Sequence, residues 1–191
     1  MRRFVEDFYQ ALASELEALV DLPVYRDVTR LEGGDFYNQA LARSLCESVC
    51  MIVVYTPTYF NARNRYCTRE YAAMKELETA RLARIQAPGN HGLIIPIVLR
   101  GFDQLPGEIG ERRQVYKFDQ FLLSDEALSK NRNYNAEIKK MAEYIAARCR
   151  ELEELEPECD EFELPTDQAV EELVLELSGR APRFPGREAY S

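Results

Sequence analysis

Two short apolar runs limit what this chain can fold into. Residues 49–55 read VCMIVVY and residues 93–101 read LIIPIVLRG. Neither alternates with polar residues and both are rich in β-branched side chains, so each is predicted to be a strand covered on both faces. Strands of that kind belong to parallel sheets, which need helices before, between and after them. Pro96 has no N–H to give to a ladder and predicts a bulge or a strand end within the second run.

The helical segments are present. Phe4, Phe8, Leu12, Leu16 and Leu19 recur at spacings of four and three, predicting an amphipathic helix over 2–20 that Pro23 ends. PVYRDV, residues 23–28, alternates weakly and predicts a short strand ending at Asp27. A Gly33-Gly34 loop and Asp35 as N-cap then lead into a second helix facing inward through Phe36, Ala40, Leu41 and Leu45. A third helix is predicted over 65–84, a weak strand at 115–118, and a long helix over 133–154 burying Ile138, Met141, Ile145, Cys149 and Leu152. This alternation predicts a doubly wound, mainly parallel α/β sheet, in which ligands bind beyond the carboxyl ends of the strands.

At 191 residues, with 46% apolar and 30% charged residues, the chain suits one core plus an appendage. The main domain is predicted over 1–155. Residues 156–191 are predicted to be an acidic linker, an added helix at about 167–178 and a flexible tail. Thr166 would cap that helix, Val170, Leu173, Val174 and Leu177 would share one face, and Gly179 would stop it; the helix either binds something or packs back on the domain. The formal charge is −9, and eight of the residues 151–164 are Asp or Glu, which argues against a nucleic-acid partner. No apolar run is long enough to cross a membrane and the N-terminus is too acidic for a signal peptide, so the expected location is the cytoplasm. Five cysteines without a CxxC pair, and His91 as the one histidine, leave a metal site short of ligands and predict free thiols. Cys46 and Cys50 read either as a redox pair or as small buried hydrophobes.

The segment TPTYFNARNRYCTREY, residues 56–71, follows the first apolar run and holds the densest chemistry. Taken with what precedes it, it resembles the central half of a TIR (Toll/interleukin-1 receptor) domain of the prokaryotic type. The resemblance rests on Arg26-Asp27 at a strand end, Gly33 or Gly34 in the following loop, Ser48 before the buried strand, Thr56-Pro57 and Tyr59 after it, and Tyr66-Cys67 followed by Glu70. It extends over about residues 4–155. Tyr66 stands where the family carries Trp, and the loop FNARNR is about two residues longer than the common form. It implies a flavodoxin-like fold. The family also has a strand before its first helix, whereas this sequence begins on that helix, so the expected sheet lacks the usual first strand.

The resemblance implies an enzyme that cleaves the nicotinamide–ribose bond of NAD⁺, with Glu70 catalytic and Tyr66, Asp27, Arg26, Gly33 and Tyr59 as candidate substrate contacts. It implies NAD⁺ as substrate with no separate cofactor, self-association through the TIR domain, an effector or sensor protein as partner, and a role in antiphage defence or signalling. One carboxylate is chemically sufficient: nicotinamide leaves as a neutral molecule, so the second carboxyl group that protonates an alcohol leaving group in glycosidases is not needed. The alternative for Glu70 is an acid that satisfies a helix start. Tyr66 reads either as a ring stacked on the ligand or as an aromatic closing the loop, and Asp27 either as a ribose ligand or as a turn cap. Arg63, Arg65 and Arg69 read as pyrophosphate contacts or as a solvated face. No GxGxxG or P-loop is present, which excludes the usual dehydrogenase and NTPase sites. Competing readings are a non-enzymatic scaffold that binds other TIR domains and a nucleoside ribosyltransferase-like enzyme.

Overall fold

The structure is a computed structural model describing residues 2–21, 23–25, 36–61, 63–85, 92–123, 127–155, 157 and 159–177. Helices α1 (Arg2–Glu17) and α2 (Phe36–Glu47) precede strand β1 (Met51–Tyr55), followed by α3 (Arg65–Arg84) and β2 (Ile94–Val98). A four-residue helix α4 (Gly107–Gly110), strand β3 (Tyr116–Lys117), α5 (Arg132–Leu152) and α6 (Asp167–Leu177) complete the order. The sheet is parallel with order β1-β2-β3. Between β2 and α5 the described residues also make three 3₁₀ turns.

Side chains alternate across β2 as a doubly covered strand requires. Ile95 and Ile97 join a cluster with Phe4, Phe8, Leu12 and Leu16 of α1 and Ile138, Met141 and Ile145 of α5. Ile94 and Val98 point the other way, to Tyr71, Met74 and Leu77 of α3 and Leu177 of α6. Each large side chain so buried contributes roughly 1.5–3 kcal/mol, which is why the apolar periodicity of α1 and α5 dictates this packing.

Several expectations need correction. The first run is not covered throughout: Met51, Ile52 and Val54 are only partly buried because β1 is the edge of the described sheet, whereas β2, in the middle, is buried at every position. Pro96 is neither bulged nor terminal but lies opposite Val53 in mid-strand. The register explains this. Leu93 O accepts from Met51 N and Leu99 N donates to Tyr55 O, so odd-numbered residues of β2 bond to β1. Even-numbered ones therefore face β3, as Val98 O does in accepting from Phe118 N. The donor that Pro96 lacks would thus point at a position before β3 starts, where no ladder partner is needed. Residues 23–25 form no strand, having no ladder neighbour among the described residues; 26–28 lie outside those residues, as do Asp35, His91 and the tail from 178. Leu19 falls past the end of α1 and is 41% exposed. On α2 the buried face is Leu41, Ala42 and Cys46, with Ala40 exposed and the Phe36 side chain outside the described residues.

The free-thiol expectation fails for two cysteines. Cys46 at the end of α2 and Cys159 beyond α5 form a disulfide across 113 residues of sequence, with Cα atoms 5.6 Å apart. No spacing rule could reveal a pair that only the return of the chain after α5 brings together. Cys50, Cys67 and Cys149 are in no disulfide among the described residues. Because Cys46 bonds to Cys159, it is not the redox partner of Cys50, whose thiol is pushed up by burial first and by Cys149 second. The added helix packs back: Val170 and Leu177 of α6 are buried, and α6 lies against α3.

Candidate functional site

The described residues 56–61, 63 and 64 make a tightly tied turn between β1 and α3. Tyr59 N donates to Thr56 O at 2.9 Å, and Asn64 Nδ2 donates to Thr58 O at 2.7 Å. Asn61 Oδ1 accepts from the backbone N of Arg63 and of Asn64, at 3.0 and 3.1 Å, the local side-chain bonding that Asn supplies in turns. Phe60 is the apolar anchor, its ring meeting those of Tyr55, Tyr59 and Tyr71. Across the sheet edge Pro57 presses on Gly101, where φ is +72° and a Cβ would come within 2.5 Å of the proline ring. The loop after β1 is thus locked to the loop after β2, and the helix it launches starts from a fixed position.

Glu70 is the sixth residue of α3, beyond the first turn. This removes the helix-start explanation of its acid, since the N-terminal dipole fades within that turn and the turn before it is already bonded through Asn61. It equally weakens the dipole as the means of keeping Glu70 ionised. Partly buried, Glu70 lines a cavity of about 520 Å³ whose walls include Leu12 and Leu16 of α1, Leu41 and Leu45 of α2, and Met51 and Ile52 of β1. That volume is in the range of small-molecule sites, which are mostly apolar with few polar groups. The cavity follows the outer edge of β1 and is not a cup over the strand ends.

Tyr59 lies within electrostatic reach of Glu70 but is not among the described residues that line the cavity. Its phenol is raised well above its ordinary value, by burial first and then by the neighbouring Cys67 and Glu70. It therefore stays protonated as a potential donor. Tyr66 is elsewhere. It is 53% exposed, has the Arg69 guanidinium 6.0 Å from its ring centre, and lines a second, open cleft of about 1620 Å³ between α2, α3 and the segment 157–167. Glu47 of α2 lines both spaces. Arg65 and Arg69 are engaged by carboxylates of α6, Arg65 with Glu171 and Arg69 with Asp167. Arg26, Asp27 and Gly33 lie outside the described residues.

Sequence reasoning missed a buried ion pair further along α3. Glu78 of α3 accepts from Arg113 Nη1 at 2.8 Å and Nη2 at 2.7 Å, and from the backbone N of Leu93 and of Ile94 at 2.5 and 3.1 Å. Burial lowers the Arg113 guanidinium, but hydrogen bonding to Glu78 and its charge outweigh that and the net shift is upward. The one signal in the sequence was an acid on the α3 face shared with Tyr71, Met74 and Leu77, which reads as an ordinary helix glutamate. The hold of Arg81 on α2, donating to Ser48 O at 2.6 Å and to Cys46 O, was equally hidden.

A parallel sheet with helices on both faces defines a doubly wound α/β domain, with a cavity beside β1 that Glu70 lines. The TIR domain family profile matches residues 2–132, more than half of the chain, and the protein belongs to that family. The parallel sheet flanked by helices is a reduced form of its flavodoxin-like fold. No curated protein matches the chain, and no solved structure does. Among the described residues no helix is long and apolar enough to cross a membrane.

Proposed function

We propose that this TIR domain hydrolyses or cyclises NAD⁺ at the nicotinamide–ribose bond, with Glu70 as the catalytic carboxylate. The supporting observation is the position of Glu70: clear of the helix end, partly buried, on the wall of a ligand-sized cavity and within the field of a protonated Tyr59. In this reading the bond from ribose C1′ to the pyridinium nitrogen breaks, and its electron pair leaves with neutral nicotinamide. The Glu70 anion stabilises the cationic sugar, with the protonated Tyr59 phenol within its electrostatic reach. Water then adds at C1′ and loses a proton, giving ADP-ribose; attack by the adenine of the same molecule gives the cyclic product. The domain acts in the cytoplasm, in antiphage defence or signalling, and is active when TIR domains associate with one another or with an effector or sensor protein.

One observation favours a non-catalytic scaffold instead: among the described residues β1 pairs on one edge only. Both readings meet the same experiment. Concentrated protein is incubated with NAD⁺ and nicotinamide is followed, beside Glu70→Gln. The expected result is release by the native chain and a loss of about 10²–10³-fold in the variant, the scale seen when one group aimed at a developing charge is removed. Equal rates, or no release even after assembly is forced, would remove Glu70 from catalysis and leave the scaffold. A nucleoside cleaved in preference to NAD⁺ would point to the ribosyltransferase-like reaction.

A further inference from the structure

Two thiols that the proposed reaction does not use meet on one wall. Cys50 directly precedes β1 and Cys149 is on α5; both are partly buried, both pack against the core of α1, α5 and β2, and both line the cavity beside β1. Ile145, one turn before Cys149, lines it too, so this face of α5 looks into the cavity. Three groups of one α5 stretch, Tyr144, Arg148 and Cys149, interact electrostatically with Cys50, which places Cys50 opposite that stretch. Neither thiol is in a disulfide among the described residues.

Most charges near the pair are already matched. Arg148 donates to Glu151 Oε1 at 2.6 Å, and Glu78 is bound to Arg113. Arg81 differs. It interacts with Cys50, and its hydrogen bonds go to the carbonyls of Ser48 and Cys46, with no carboxylate partner among the described residues. The pair thus has beside it one cation able to offset a single negative charge. The number of sulfurs then selects the ion. Thiolates are soft donors that prefer soft cations, and a structural zinc takes four protein ligands. Among the described residues no group of three His, Cys, Asp or Glu is placed to hold a metal. A soft monovalent ion is satisfied by two thiolates, and the complex carries the one negative charge that Arg81 offsets.

We propose that Cys50 and Cys149 form a two-thiolate site for a soft monovalent cation, cuprous copper being the ion that fits. On binding, two S–H bonds break, two S–Cu bonds form and two protons pass to solvent, with no change of oxidation state. The bound ion ties α5 to the start of β1 across the cavity wall. The inference does not rest on NAD⁺ cleavage and is read without it.

The test titrates the full-length protein with cuprous ion under argon, with bicinchoninate competing for the metal. Ascorbate keeps the copper reduced and, not being a thiol, leaves Cys46–Cys159 bonded. A single ion per chain is expected to bind against the chelator and to raise Tm as the free ion increases. X-ray absorption at the copper edge is expected to show two sulfur neighbours. Cys50→Ser and Cys149→Ser should each weaken binding by more than about 100-fold, since even changes outside the ligand shell cost about 10–100-fold, while Cys67→Ser should leave it within about twofold. The native protein's spectrum decides even where a variant does not fold. No binding against the chelator, a spectrum without two sulfur neighbours, or undiminished binding in a folded Cys50→Ser or Cys149→Ser protein would overturn the site.

Discussion

Replacing Glu78 with Ala should cost more stability than any other single change of a charged residue in the described structure. The side chains of Glu78 and Arg113 are 10% and 11% exposed, so solvent does little to screen what is lost. Removing one partner of such a pair leaves a buried guanidinium without its counter-charge, a loss of about 3–5 kcal/mol. Glu78 also accepts from Leu93 N and Ile94 N at the start of β2, where both residues are buried. An orphaned buried donor costs about 1–3 kcal/mol, although the terms overlap, so about 4 kcal/mol is the expected total. A domain of this kind has roughly 5–15 kcal/mol in all, which places the variant close to unfolding at 37 °C. Glu78→Gln keeps an acceptor for the two amides and should cost about half as much. The pair Glu78→Leu with Arg113→Met removes both charges but still orphans the amides, so it should recover only part of the loss. Urea denaturation followed by circular dichroism measures each value, with an unchanged m-value showing that the same surface unfolds. A Glu78→Ala midpoint equivalent to less than about 1 kcal/mol would mean that water reaches Arg113, and the argument from burial would fail.

Further expectations follow from other contacts. Gly101→Ala sets a Cβ 2.5 Å from Pro57 at a φ of +72°, and should cost about 2–3 kcal/mol by urea titration, twice what the backbone term alone gives. Asn131 accepts from Asn133 N and Tyr134 N at the start of α5, so Asn131→Ala should lower stability by about 1 kcal/mol while Asn131→Asp leaves it within a few tenths. Burial, with Tyr144 and Glu137 nearby, pushes the Tyr116 phenol up to about 12. A phenol raised in the folded state stabilises fully below its unfolded value near 10 and loses that contribution as pH climbs to 12. Stability measured at pH 9 and 12 should therefore fall by about 2–3 kcal/mol from this group, and Tyr116→Phe should remove that part of the slope.

The legible parts of this fold were those where one face meets one core. α1 and α5 could be read from apolar spacing because each packs as a single stripe, and α3 ran over 65–84 as its composition implied. What could not be read depended on partners distant in sequence. Cys46 pairs with a residue 113 positions away, and the buried face of α2 runs through Ala42 and Cys46 and not through Ala40. Pro96 is harmless only because β3 is two residues long and starts late, a fact about β3 that no rule applied to β2 contains. Glu78 looked like a surface acid because helix periodicity gives the direction of a side chain but not what waits there. At the site, the sequence singled out Glu70, which lines the cavity along β1, Tyr59, which lies within its electrostatic reach, and Tyr66, which lines another space.

That separation yields a prediction about the chemistry. If Glu70 acts within the cavity along β1, the groups that matter to it are those on its walls and in its field. Tyr59 is one, and Tyr59→Phe removes a donor while leaving the ring against Phe60, 4.8 Å between centroids. Tyr66 faces a cleft on the far side of α2, where its ring meets Arg69. Under the proposed NAD⁺ reaction, Tyr59→Phe should lower kcat by about tenfold or more with KM little changed, the mark of an interaction made mainly in the transition state. Tyr66→Ala should leave kcat within about twofold, since its ring sits with Arg69 in a separate cleft. Initial rates of nicotinamide release across a range of NAD⁺ concentrations separate the two. A Tyr66→Ala variant that loses kcat as Glu70→Gln does would refute the division: the two spaces would then work as one site, joined past Glu47, and the ligand would span the edge of α2.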